Sequence, residues 1–169
     1  PVPDIETLAA GMRRWEPGSD YQFQLEFVRR FVNEKRFALG AQIVAGAGDP
    51  LEVSTGYARV AEAAIETLAT ATVAEFSRNH GAVPDSELVI LALGRMGGQA
   101  LTQASDLDLV YLFTGDYAAE SDGAKPLGAV TYYNRLGQRV TAALSVPTPA
   151  GPLYEVDTRL RPSGAQGPL

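Results

Sequence analysis

The chain has no cysteine and a single histidine, His80. Without thiols there can be no disulfide, no thiolate metal site and no cysteine nucleophile. One histidine cannot build a multi-histidine zinc centre or a histidine triad. It sits in the polar stretch SRNHGAVPDS and reads as a solvated residue in the last turn of a helix, where positive charge suits the dipole. Positive charge is itself scarce: 14 Lys and Arg against 20 Asp and Glu leave a net charge of −6. That balance argues against non-specific binding to nucleic acid or to an anionic membrane surface. No apolar run approaches the ~20 residues that span a bilayer, and no signal-peptide pattern opens the chain, so a cytoplasmic protein is expected. Neither a GxxxxGK[ST] phosphate loop nor a strand followed by GxGxxG is found. An ATP-type ligand would therefore be held by metal and backbone, not by a Walker lysine.

What is there is the composition of a folded protein. Hydrophobic residues make up 46% and charged residues 20% of 169 positions, enough for one large domain or two small ones. The chain opens at Pro1 and closes on SGAQGPL, and reads as a piece of something longer.

The first half reads as helix. Between Ser19 and Gly46, Leu25, Phe27, Val28, Phe31 and Val32 recur at roughly helical spacing, with Glu26, Arg29, Arg30 and Glu34 between them and Gly46 as a stop. The basic cluster Arg29, Arg30, Lys35 and Arg36 is interleaved with acids and reads as a solvated face. The next helix has a sharper start: Asp49 can cap, Pro50 suits the first position and Glu52 stands where a capping box places its carboxylate. Tyr57, Val60, Ala64 and Leu68 form its apolar stripe, and Gly81 can close it. Residues 1–80 are therefore expected to be a helical segment, forming a bundle beside residues 81–169.

After residue 81 the period changes. LVILAL, Leu88 to Leu93, is a short unbroken apolar run of the kind expected for a strand buried on both faces. A glycine-rich turn, GRMGGQALTQAS, leads to DLDLVYLF. There Leu107, Leu109, Tyr111 and Phe113 share one face, and Asp106, Asp108, Val110 and Leu112 the other. A helix is expected from Pro126, with Leu127, Val130, Tyr133, Leu136 and Val140 on its buried side. The final stretch, GPLYEVDTRLRPSG, reads as a third strand. Helices first and strands later give an α+β expectation.

Two aspartates at the head of a core strand need a reason, because buried like charges are costly. Asp106 and Asp108 project the same way, and side-by-side carboxylates suit a cation between them. Their hard oxygen donors fit Mg²⁺, which is commonly completed by substrate phosphates. Asp157 supplies a third carboxylate if its strand is adjacent, and such a set can support in-line phosphoryl displacement. Gly97 and Gly98 allow close approach of backbone to phosphate. Arg159 and Arg161 can neutralise phosphate or pair with neighbouring acids.

The runs GRMGGQALTQASDLDLVYLF and LYEVDTRLRPSGAQGPL resemble the bacterial glutamine synthetase adenylyltransferase/deadenylase family, within the polymerase-beta-like nucleotidyltransferases. The likeness is dense over Leu88–Leu112 and Leu153–Leu169 and weak over the first eighty residues. It implies a nucleotidyltransferase palm, a small mixed sheet with helices, over residues 81–169, truncated at its C-terminal end. It further implies that Asp106, Asp108 and Asp157 are the catalytic, Mg²⁺-binding carboxylates. Gly97 and Gly98 would cradle the triphosphate of ATP, with Ser105 nearby. The implied partners are glutamine synthetase as protein substrate and, through a longer chain, the PII signalling protein. Arg95-Met96 stands where Lys-Leu is usual, and Gln99-Ala100 where Arg-Glu is usual; no carboxylate of the pattern is missing. SDLDL, and Ser163 after the proline, are closer to the half of the family that adds AMP to a tyrosine than to the half that removes it by phosphorolysis. The removing half, a PII uridylyltransferase and an ATP-sensing module without turnover are the competing expectations.

Overall fold

Among the residues that the computed structural model describes, 3–15, 18–145 and 152–159, the first half is helical. Helix α1 (Ile5–Met12) is capped by Asp4, which accepts from the Thr7 amide at 2.7 Å. Helix α2 (Tyr21–Val44) starts at Asp20, which accepts from the Phe23 amide at 2.8 Å. Helix α3 (Pro50–His80) has the expected Asp49 cap, bonded to the Leu51 amide at 2.8 Å, and ends at Gly81 with φ 69°. Each cap satisfies a backbone donor that a helix start leaves without an internal partner.

The second half is strand β1 (Leu88–Ala92), the one-turn helix α4 (Gly94–Gly97), strand β2 (Leu107–Phe113), helix α5 (Ala129–Ser145) and the short strand β3 (Val156–Asp157). The sheet order is β1-β2-β3. β1 and β2 are antiparallel, with Leu88 opposite Phe113 and Ala92 opposite Leu109. β2 and β3 are parallel, a pairing that requires a crossover, here α5. The helix expected from Pro126 begins at Ala129. Before it, Leu127 donates its amide to the Ser121 hydroxyl and Gly128 bridges to Glu120. The architecture is α+β.

Two expectations are corrected by the packing. The apolar run of β1 predicts burial on both faces, but only one is covered. Leu88, Ile90 and Ala92, with Leu109 and Tyr111 opposite, pack into the helices' core, whereas Leu91 is 43% exposed and Leu112 49%. The helices lie on a single side of the sheet, and no described element covers the other. The separate bundle is likewise not what forms. Leu8, Val28, Val32 and Leu68 of the helical half belong to one buried cluster with Leu107, Leu109, Val140 and Leu144. A three-stranded sheet has an apolar face to bury, and α3 and α5 cover it. Residue 80 marks a change in type of structure, and the core runs across it.

Two smaller readings change as well. His80 is not fully solvated: its ring lies 4.4 Å from that of Phe76, and Nδ1 donates to the Lys125 carbonyl at 2.7 Å. The basic cluster of α2 is not a uniform solvated face. Arg29 is buried and donates to the Ala143 carbonyl near the end of α5 at 3.2 Å.

Candidate active site

The strand alternation decides where the acids point. Leu107 and Leu109 face the core, so Asp108 between them faces the open side of the sheet. Asp157 is its register partner on β3, and Val156 before it packs against the core, so Asp157 shares that open side. On the other flank, the Asp108 carbonyl accepts from the Leu93 amide at 2.9 Å. Asp108 is thus the middle of three chain segments, next to the β1–α4 turn and beside Asp157. The charges sit at the head of a core strand because they occupy its uncovered face. Asp106 lies one residue before β2 and is exposed.

Asp157 is engaged with Arg159. Its Oδ1 accepts from the Arg159 amide and Nε, both at 2.9 Å, and its Oδ2 accepts from Nη2 at 2.9 Å. The hydrogen bonds and the carboxylate's charge raise the pKa of Arg159 above its ordinary value. Of the two possibilities left open for Arg159, this arrangement is the ion pair with an acid. Among the described residues no group of three or more His, Cys, Asp or Glu is gathered to hold a metal ion. The donor chemistry of Asp106, Asp108 and Asp157 is nonetheless all hard oxygen, as Mg²⁺ requires, and two of the three are register neighbours. Arg161 lies outside the described residues.

The glycines divide their work differently from the expectation. Gly97 and Gly98 end α4, and their amides are already used, donating to the carbonyls of Leu93 at 3.2 Å and Gly94 at 3.1 Å. A side chain on Gly97 would meet the Ala92 carbonyl, so this glycine permits the tight fold-back of α4 on β1. Ser105 is also occupied. Its hydroxyl accepts from the Thr102 amide at 3.0 Å and bonds the Thr102 hydroxyl at 2.8 Å, closing the turn before Asp106. A groove of about 540 Å³ between α3 and β1 includes Glu62, Glu66, Gly97 and Gln99, but none of the three aspartates lines it.

Sequence reasoning missed two residues. Gly94 has φ 56°, and a Cβ there would run into the Asp108 carboxylate. The signal available was a glycine directly after the apolar run. Gly94→Ala is expected to lower stability by about 1–3 kcal/mol, from left-handed strain plus displacement of Asp108. Urea unfolding checks this, and an unchanged midpoint would show that the turn yields freely. The second missed residue is Arg36, which donates to backbone carbonyls of both acid-bearing loops.

Against known proteins, the chain matches the family model described as glutamate-ammonia ligase adenylyltransferase over residues 3–169. It is similar to proteins named bifunctional glutamine synthetase adenylyltransferase/adenylyl-removing enzyme. The one from Mesorhizobium japonicum is 39% identical over 99% of this chain and 17% of its own length. The one from Brucella suis is 43% identical over 89% of this chain and 16% of its own, and that from Agrobacterium fabrum 41% over 99% and 17%. The chain therefore spans about a sixth of the length of these relatives.

Proposed function

The chain belongs to the glutamate-ammonia ligase adenylyltransferase family, and on that premise we propose that it carries a site transferring AMP from ATP to a tyrosine of glutamine synthetase. The observation that supports this most is the placement of Asp108 and Asp157 in register on the open face of the sheet, with Asp106 at its mouth. An open, acid-bearing face is what a nucleotide and a large protein substrate both need.

Asp106, Asp108 and Asp157 are the residues that would hold Mg²⁺, which when bound neutralises charge on the triphosphate. The tyrosine hydroxyl attacks the α-phosphorus, the bond from that phosphorus to the bridging oxygen breaks, and pyrophosphate leaves. In this reading Asp157 would take the hydroxyl proton once its oxygens are released from Arg159. The triphosphate offers Arg159 a competing anionic partner, so substrate binding and freeing of Asp157 are coupled in this reading. Gly97 serves by letting α4 lie close to β1. The relatives' names cover both addition and removal of AMP. We assign addition, from SDLDL and the segment around Asp157. Regulation through a PII protein belongs to the longer chain, and a cytoplasmic setting goes with this substrate; among the described residues no helix is long and apolar enough to cross a membrane.

Incubation of the full-length protein with Mg²⁺, α-labelled ATP and glutamine synthetase tests the reading. To isolate this site, the matching aspartates of any second such domain are changed to asparagine. Label is expected on the synthetase, with pyrophosphate released. Predominant phosphate-dependent release of label as ADP from modified synthetase would reverse the direction. No reaction either way would overturn the proposed activity.

A further inference from the structure

The two acid-bearing segments, 102–108 and 153–157, are far apart in sequence and share a buried cluster through Leu107, Leu153 and Tyr154, but the backbone pairing between them is minimal. β3 is two residues long, and one further bond, from the Leu107 amide to the Glu155 carbonyl at 2.8 Å, extends the pairing. So short a pairing is a weak means of fixing the distance between catalytic groups. We propose that Arg36 is the positioning residue that sets this distance; the inference rests on the reading of Asp106, Asp108 and Asp157 as the catalytic acids.

Arg36 projects from α2, outside the sheet altogether. Its Nη1 donates to the Leu153 carbonyl at 2.6 Å and its Nη2 to the Gln103 carbonyl at 2.6 Å. One rigid planar fork therefore spans two loops, three residues before Asp106 and four before Asp157. The guanidinium also lies over the Tyr154 ring, 4.9 Å from its centroid. Tyr154 is buried, and its hydroxyl has no hydrogen-bond partner among the described residues. Desolvation pushes its pKa well up, against the opposing effect of the Arg36 charge. The base of the clamp is fixed in turn. The Tyr57 hydroxyl, from α3, donates to the Arg36 carbonyl at 3.3 Å, and the Tyr154 amide donates to the Leu144 carbonyl of α5 at 3.0 Å. Charged donors to two backbone acceptors make stronger bonds than neutral ones, and the rigid fork of a guanidinium serves both from one head group. The helical half thus reaches the site without contributing a ligand.

The test uses the full-length protein with Arg36→Met and Arg36→Lys. Hydrogen–deuterium exchange is read at amides 105–107 and 154–156, with 89–93 as an internal control. In Arg36→Met both loop segments are expected to exchange roughly tenfold faster or more, together, while the control stays at the parent rate. Arg36→Lys keeps the charge but loses the fixed planar fork, so at least one of the two segments is expected to exchange faster than in the parent. Parent-like exchange in either loop of Arg36→Met would overturn the clamp; if that variant does not fold, parent-like exchange in both loops of Arg36→Lys would do so. In the AMP-transfer assay, the kcat of folded Arg36→Met is expected to fall at least tenfold with the KM for glutamine synthetase unchanged. A loss matching only the unfolded fraction would reduce Arg36 to a stability role. If the parent protein transfers no AMP, the functional reading fails, whereas the exchange data still decide whether Arg36 ties the loops.

Discussion

Asp108→Asn is expected to lower AMP transfer by more than roughly 10²-fold while the protein melts within a few degrees of the parent. Residues that merely orient a metal ligand contribute about 10–100-fold, so loss of a charged ligand should exceed that range. The fold should tolerate the change because Asn is nearly isosteric and the Asp108 carbonyl keeps its bond from the Leu93 amide. The substitution also removes one of two like charges held in register across β2 and β3, which relieves repulsion. Asp106→Asn should change activity in the same direction, with still less effect on stability, because the residue is exposed and precedes the strand. Steady-state transfer to glutamine synthetase, run beside thermal melts, measures both halves of the expectation. Near-parent transfer by Asp108→Asn would sink the assignment of the acids.

Residues 81–169 expressed alone are expected not to fold cooperatively. Deleting the helical half uncovers Leu107 and Leu109 on β2 and Val140 and Leu144 on α5, all at most 1% exposed in the intact chain. It also removes Phe76, whose ring lies 4.9 Å from Tyr132 on α5. Each large apolar side chain returned to water costs about 1.5–3 kcal/mol. Typical domain stability is only about 5–15 kcal/mol, so a loss of this size is comparable to the whole. Circular dichroism and a thermal melt of the solubility-tagged fragment check the outcome. A sharp melt accompanied by ATP binding would show that the sheet and α5 form an independent unit after all.

Local signals were legible because they depend on neighbours in sequence. The Asp49-Pro50 start and Gly81 end of α3 follow from donors and acceptors within a few residues, as does the glycine turn after β1. Alternation likewise placed Leu107 and Leu109 opposite Asp106 and Asp108, because side chains two apart on a strand must share a face. The runs GRMGGQALTQASDLDLVYLF and LYEVDTRLRPSGAQGPL together carried the resemblance to the family that the chain belongs to.

Only the tertiary structure decided which face of the sheet is covered. An apolar run such as LVILAL reads the same whether one face or both are buried, and the answer depended on α3 and α5 lying on a single side. The fate of the basic residues on α2 was equally hidden. Arg29 and Arg36 stand seven positions apart on one helix among similar neighbours. One ends on α5, and the other reaches carbonyls 67 and 117 residues away. Backbone carbonyls carry no sequence identity, so no pattern of residues reveals that a guanidinium will find two of them. Local chemistry made the acids and the turns readable from the sequence; long-range packing made the open face, the shared core and the Arg36 fork.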